Sequence, residues 1–167
     1  MIAKLVVGGK EFDIDILDPE LQKLIKPQKK TGYELCEPGQ SYYIDGDLGF
    51  TEMFDGAVGG LAQEQYKSAN YYSDETVAKN NVRADKLMRQ LRRFAVEHRK
   101  SKIEWNKTYY KYYIRFGHYN KELFVETEML GHSFGMIVFD SKEAAELAID
   151  AFYDELMWYF TEYKDSL

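Results

Sequence analysis

One stretch near the middle of the chain, residues 73–102, has the spacing of a long helix with a single apolar face. Its apolar residues recur at intervals of three and four, which is the period of one helical face. They are Val77, Ala84, Leu87, Met88, Leu91, Phe94, Ala95 and His98. Ser73 precedes these residues, and its hydroxyl can accept a hydrogen bond from the unpaired N–H groups of the first helical turn. Two acidic residues follow Ser73, and negative charge is favourable at the positive end of the helix dipole. We expect a long helix capped by Ser73, with His98 in the core.

The opposite face of this helix is basic. It carries Lys79, Arg83, Lys86, Arg89, Arg93 and Lys100. Residues 79–102 hold nine basic residues against two acidic ones, whereas residues 122–167 hold eleven acidic residues against two basic ones. The net charge of −6 therefore hides a basic middle and an acidic C-terminal third, which can bind different partners or each other.

Period-two alternation and turn residues mark hairpins on both sides of the helix. The expected strands are 2–7 and 11–17, 41–45 and 50–54, 109–116 and 123–129, with a short apolar strand at 136–139. The expected further helices cover 18–26 and 141–163. We predict an α+β fold, a mainly antiparallel sheet of hairpins with two long amphipathic helices packed on one face, and no internal repeat.

A polar stretch at 27–31 divides the chain into two expected parts. Residues 1–31 form an N-terminal β-hairpin plus a short helix, and residues 32–167 form the α+β core domain. Cys36 is the only cysteine, so no internal disulfide and no thiolate zinc site can form. We expect a cytoplasmic protein, because no segment has the pattern of a signal peptide or of a membrane span.

Enzyme motifs are missing from the sequence. We find no phosphate-binding loop, dinucleotide fingerprint, zinc-protease pair or nucleophile elbow, so the chain favours a binding protein over an enzyme, with no cofactor and no small-molecule ligand. Asp45, Asp47 and Asp55 lie near one turn and can hold a divalent cation for phosphodiester chemistry. The same residue types are also usual in tight turns, and that alternative stays open.

Two charged surfaces are the better candidates for binding. Arg83, Lys86, Arg89 and Arg93 can follow a phosphate backbone along one helix side. Alternatively, this side is only exposed to solvent, or it pairs with the acidic last helix. The acidic candidates are Glu143, Asp150 and Asp154, with Trp158, which falls off the apolar stripe and which we expect to be exposed at a partner surface. Carboxylates on a rigid helix can imitate a nucleic-acid backbone, although they also suit a solvated face.

Three segments resemble small proteins of phages and integrative elements of Gram-positive bacteria. They are residues 39–49 with their turn and strand, residues 70–78 leading into 91–95, and residues 134–149 with a glycine, a strand and a capped helix. The resemblance covers roughly residues 32–163 and rests on turn, cap and core positions, so it implies no catalytic residue. Some similar proteins are type II-A anti-CRISPRs, which inhibit Cas9 by binding it or by acting on its guide RNA.

The resemblance implies a phage or mobile-element anti-CRISPR protein that binds and inhibits a Cas9–guide RNA complex in the bacterial cytoplasm. Its expected partners are Cas9 or the Cas9–guide RNA complex, and RNA itself is a further candidate. Two alternatives remain. One is a metal-dependent nuclease that trims guide RNA with Asp45, Asp47 and Asp55, and the other is a nucleic-acid-binding regulator with no link to Cas9.

Overall fold

The computed structural model describes residues 2–7, 9–15, 31–36, 39–46, 49–54, 60–105 and 108–163. The strands are β1 (Ile2–Val7), β2 (Lys10–Asp15), β3 (Ser41–Gly46), β4 (Gly49–Phe54), β5 (Lys111–Gly117) and β6 (Glu122–Glu128). The helices are α1 (Leu61–Lys67), α2 (Glu75–Glu97), α3 (Lys142–Ala151) and α4 (Tyr153–Trp158), followed by a π-helical segment, Tyr159–Tyr163. The expected helix at 18–26 lies outside the described residues, and α1 was not predicted from the sequence.

The α+β class is confirmed, but the expected continuous sheet is not. Within the described ranges the strands form three separate antiparallel hairpins, β1–β2, β3–β4 and β5–β6. The predicted strand at 136–139 is wrong, because only Phe139 pairs with a strand, through a single antiparallel bridge to Tyr112. The β3–β4 and β5–β6 hairpins are connected to the rest of the described chain through helices and single bridges rather than through long strand ladders.

The long helix α2 confirms the central prediction, although it begins one residue later than expected. Asp74, not Ser73, is the cap, and its carboxylate accepts from the Val77 N–H at 2.9 Å. Ser73 has other partners, since its N–H donates to the Gly32 carbonyl at 2.8 Å and its hydroxyl donates to Glu34 at 3.1 Å. Ser73 therefore ties the preceding loop to the helix start, and the cap falls to the next residue.

The end of α2 also differs from the prediction of a core histidine. His98 is exposed at the C-cap, where its ring stacks on Phe94 at 3.8 Å between centroids. Asp140 closes the helix end from outside, because one of its carboxylate oxygens accepts from the N–H groups of Lys100 and Ser101, both at 2.7 Å. Asp140 thus fixes the two residues Lys100 and Ser101, which follow the C-cap, through a contact with a segment about 40 residues later in the chain.

The expected second long helix is interrupted rather than continuous. Ser141 caps α3 by accepting from the Ala144 N–H at 3.2 Å. The backbone then leaves helical angles at Phe152, with φ −124° and ψ 24°, and the Phe152 ring packs edge-on against Phe94 at 5.6 Å. The apolar stripe of the sequence continues through this point, so the stripe did not reveal the interruption.

Two parts of the described chain share one arrangement of hairpin, bridge and helix cap, although no internal repeat was predicted from the sequence. In each part, the first strand of a hairpin forms one antiparallel bridge to a residue further along the chain. The N-cap of a helix lies two residues after this bridge partner. The bridges join Tyr43 to Tyr72 and Tyr112 to Phe139, and the caps are Asp74 and Ser141. We call residues 41–97 the first unit and residues 111–163 the second unit.

Two apolar cores hold these units together. The larger core lies where α2, α3 and α4 meet the β5–β6 hairpin, and its buried members are Leu87, Leu91, Ala95, Phe139, Ala144, Ala145, Ala148 and Leu156. The smaller core lies between β3 and α1 and contains Tyr42, Ala62 and Tyr71. Because α2 reaches from the first unit into the larger core, it is the element that both units share.

Candidate nucleic-acid and partner interface

The four basic residues predicted to contact RNA do not form one surface. Arg83 is turned toward the second unit, where its Nε and Nη2 atoms donate to the two carboxylate oxygens of Glu155 at 2.8 and 3.1 Å. Its guanidinium group also lies 3.9 Å from the centroid of the Trp158 ring. Arg83 is therefore engaged within the protein, which supports the interpretation that part of the basic side pairs with the acidic C-terminal region.

Trp158 is buried, so the expectation of an exposed tryptophan at a partner surface is wrong. Its relative exposure is 7%, because Arg83 covers one face and the Tyr163 ring lies 5.6 Å away. Beyond Phe152 the stripe residues Leu156, Tyr159 and Phe160 still pack on the larger core, so it is the contacts with Arg83 and Tyr163 that bury Trp158.

Lys86, Arg89 and Arg93 remain on the outside of α2, and we call these three residues the basic face. All three are exposed. Arg89 approaches Asp45 only to 3.5 Å and Arg93 approaches Glu97 only to 3.8 Å. Such long, exposed ion pairs hold a side chain weakly, so both guanidinium groups stay accessible. Arg92, which was not among the predicted contacts, is exposed beside them.

A second exposed surface, the acidic face, consists of Glu143, Asp150 and Asp154 on α3 and α4. Leu147 lies between the first two along α3, and 52% of its surface is exposed. Within the described ranges no ion pair joins this face to the basic face. The residue that bridges the two regions is Glu155, which was not among the predicted acidic contacts.

The aspartates proposed for a metal site are only partly described. Asp45 lies beside Arg89, and both of its backbone polar groups bond to the Asn70 side chain. Asp47 and Asp55 lie outside the described residues. In the part of the chain that the structure covers, no group of three or more His, Cys, Asp or Glu side chains could hold a metal ion.

Each histidine packs against a different aromatic ring instead of joining the others. His118 meets Phe116 edge-on, with 5.1 Å between ring centroids, and His132 stacks on Trp105 at 4.0 Å. His98 stacks on Phe94, as described above. The three rings therefore belong to three separate local contacts, each of which fixes a turn or a helix end.

Sequence reasoning missed a fully buried lysine. Lys111 has no exposed surface, and its ammonium group donates to the Met129 carbonyl and lies 5.2 Å from the Trp105 ring and 4.8 Å from the Tyr109 ring. The aromatic residues that flank it in sequence are the one available signal. This contact fastens the segment before β5 onto the outer side of the β5–β6 hairpin.

The second missed feature is a cavity of about 500 Å³ beside the free edge of β5, which we call the edge slot. Residues 113–115 of β5 and residues 133–137 both line it, and the lining residues are mostly apolar. Its only charged lining residue among those described is Arg115, which donates to Glu126 on β6. This hydrogen bond lowers the pKa of Glu126, whereas burial and a hydrogen bond to Glu126 raise the pKa of Tyr113.

Two exposed faces of opposite charge and an apolar slot give this protein three separate surfaces suited to binding. None of the helices in the described ranges is long and apolar enough to cross a membrane. No protein-family model, no curated protein and no solved structure matches this chain.

Proposed function

We propose that this chain is a phage or mobile-element anti-CRISPR protein that binds and inhibits a bacterial Cas9–guide RNA complex. The observation that carries the proposal is the separation of the basic face and the acidic face on well-packed helices. A Cas9–guide RNA complex offers matching surfaces of both signs, since it combines exposed phosphates with a positively charged channel for nucleic acid. The expected resemblance of residues 32–163 to small phage and mobile-element proteins, some of which are anti-CRISPRs, motivates the same proposal.

The basic face contacts the guide RNA. Lys86 and Arg93 are seven residues apart and therefore about 10 Å apart along the helix axis. Side chains at this spacing can reach neighbouring phosphates of one strand, and binding of this kind weakens as salt rises, because counterions are released from the RNA. Arg83 takes no part, because Glu155 and Trp158 already hold it.

The acidic face contacts the positively charged channel of Cas9. Glu143, Asp150 and Asp154 supply the negative charge, and Leu147 supplies an apolar contact among them. Charges of this kind mainly set orientation and association rate, whereas a buried apolar side chain adds affinity. Occupation of the channel would prevent the target DNA from entering.

Capture of a purified type II-A Cas9 by the tagged protein, with and without guide RNA, tests the proposal. We expect retention of Cas9 and inhibition of target DNA cleavage, with stronger retention when guide RNA is present. Absence of retention in both states would overturn the proposal. Retention of RNA alone, without any Cas9, would favour a nucleic-acid-binding regulator instead.

Charge-reversal variants assign the two faces. The double variant Lys86→Glu/Arg93→Glu should weaken capture of the guide-loaded complex at least tenfold, and Glu143→Lys/Asp150→Lys should weaken capture of Cas9 without guide. Lys67→Glu/Lys121→Glu is the matched control, because both lysines are exposed on other surfaces. If the control weakens capture as much as Lys86→Glu/Arg93→Glu does, that effect reflects net charge and not the basic face.

A further inference from the structure

The free edge of β5 stops pairing after one residue. At the bridge, Tyr112 and Phe139 exchange both backbone hydrogen bonds, at 3.0 and 2.7 Å. In an antiparallel ladder the next such pair would be Ile114 with Ile137. Within the described chain, however, neither backbone group of Ile114 has a hydrogen-bond partner at this edge, and Ile114 and Ile137 both line the edge slot.

In the first unit a side chain pairs with the strand edge at the position that corresponds to Ile114. Its bridge joins Tyr43 to Tyr72, so the next pair along the ladder would be Asp45 with Asn70. There the side-chain amide of Asn70 accepts from the Asp45 N–H at 2.7 Å and donates to the Asp45 carbonyl at 3.1 Å. One amide thus satisfies both backbone groups. The second unit has Ile137 at the corresponding position, which can neither donate nor accept through its side chain.

The edge slot adds two further constraints on what could bind there. Its depth is apolar, with Leu87, Met88 and Leu91 of α2 opposite Ile114. Arg115 is the charged residue at its mouth; it pairs with Glu126 through Nη1, and 58% of its side chain stays exposed to a further carboxylate. A matching occupant therefore carries an amide backbone, an apolar side chain and an adjacent carboxylate.

We propose that the edge slot binds an extended peptide segment of a partner protein, which adds a strand to the edge of β5. The segment runs antiparallel to β5 and its last residue pairs with Ile114, because Tyr112 is already paired with Phe139. The apolar side chain of this last residue enters the slot, because paired residues point to the same face of a sheet. The preceding residue lies opposite Arg115 and is acidic. This site is separate from both charged faces and does not depend on the proposed function.

A labelled peptide, acetyl-Thr-Val-Glu-Leu-amide, probes the site by fluorescence anisotropy with the full chain. Its leucine is placed opposite Ile114 and its glutamate opposite Arg115. We expect saturable binding and a shift of the Ile114 amide signal in ¹H–¹⁵N spectra. A peptide with the leucine nitrogen methylated loses the hydrogen bond to the Ile114 carbonyl, and replacement of its glutamate by lysine repels Arg115. Each change should weaken binding at least fivefold.

Ile137→Asn is the decisive protein variant, because it supplies the amide that Asn70 supplies in the first unit. It should weaken peptide binding at least tenfold while the protein stays folded, and Ile137→Leu is the matched control that should keep binding. Absence of saturable binding would overturn the proposal, and so would equal binding of the methylated peptide. Protection of the Ile114 amide from hydrogen exchange in the free monomer would show that the chain closes its own edge. Protection of the Ile114 amide that grows with protein concentration would show that a second copy of the chain pairs with the β5 edge. Each of these two hydrogen-exchange results would also overturn the proposal.

Discussion

In the first unit the sheet edge beside the bridge is closed by the side chain of Asn70, whereas in the second unit the same edge faces an apolar slot. The residue before each bridge also differs, being Tyr42 in the first unit and Lys111 in the second, although both are fully buried. The two units therefore share a backbone plan, and single side chains determine which of them is sealed and which is left open for a partner.

The buried position before the bridge gives the largest expected effect. Tyr42 stacks on Tyr71 at 4.6 Å and its hydroxyl donates to Gln65 at 2.6 Å, whereas Lys111 lies against Trp105 and Tyr109. Truncation to alanine leaves a cavity in either place, so Tyr42→Ala and Lys111→Ala should each lower the free energy of unfolding by about 3 kcal/mol. Urea denaturation measures this difference.

Lys111→Met separates packing from charge at the same position. Methionine keeps most of the volume of lysine without the ammonium group, and replacement of a buried charge by an apolar group of similar size is often tolerated. We expect a loss of about 1 kcal/mol. If Lys111→Met is as damaging as Lys111→Ala, the contacts of the ammonium group stabilise this unit more than its packing does.

The Asn70 amide gives the next largest effect. Asn70→Ala leaves the N–H and C=O of Asp45 without their partner and should lower the free energy of unfolding by about 2 kcal/mol. Asn70→Asp can still accept from the N–H but cannot donate to the carbonyl, so it should not restore stability. If Asn70→Ala is neutral by urea denaturation, water satisfies this edge, and the two units differ less than their geometry indicates.

The arginines of α2 give a smaller effect that distinguishes structural from exposed positions. Arg83→Ala removes a two-point ion pair and a ring contact, both partly exposed, and should lower stability by about 1 kcal/mol. Arg89→Ala removes one weak ion pair and should lower it by less than about 0.5 kcal/mol. Thermal unfolding compares the two variants, and an equal loss would mean that Arg89 is also part of the structural contact.

The smallest effect concerns the start of α2, where Glu34 holds the preceding loop. Hydrogen bonds, of which that from the Thr31 N–H is the strongest, lower its pKa from 4.5 to about 2. The carboxylate therefore stabilises the fold fully above pH 4.5, and this contribution is lost as the pH falls toward 2. The difference in unfolding midpoint between the wild type and Glu34→Gln should shrink over this range. A constant difference from pH 7 to pH 2 would contradict the assignment.

Much of the local structure followed from the sequence, because it depends on neighbours along the chain. The three hairpins and the long helix were predicted from alternation, glycine turns and three-to-four spacing. The shift of the α2 cap from Ser73 to Asp74 was not predictable in this way. Ser73 instead donates hydrogen bonds to Gly32 and Glu34, which lie about 40 residues earlier in the chain.

The candidate site was predicted less well, because contacts between elements that are distant in sequence determine which of its side chains are exposed. Periodicity placed Arg83 on the same helix side as Lys86 and Arg93. In the structure, however, Arg83 pairs with the Glu155 carboxylate on α4 and is not available with the other two. The same contact buries Trp158. The edge slot had no sequence signal, because an apolar run such as 136–139 normally predicts a strand that would have closed it.

The two units also show that a matching sequence motif does not fix the position of a strand bridge. The motif Tyr-Tyr-Ile occurs in both, at 42–44 and at 112–114, yet the bridges use Tyr43 in one and Tyr112 in the other, so the sequence match is one residue out of structural register. The sequence by itself determined the hairpins, the amphipathic helix and the separation of charge, because these depend on local conformational preference and composition. Tertiary structure alone decided which edge is sealed, which arginine is held and which tryptophan is buried, because each depends on a side chain meeting a partner that is remote in sequence.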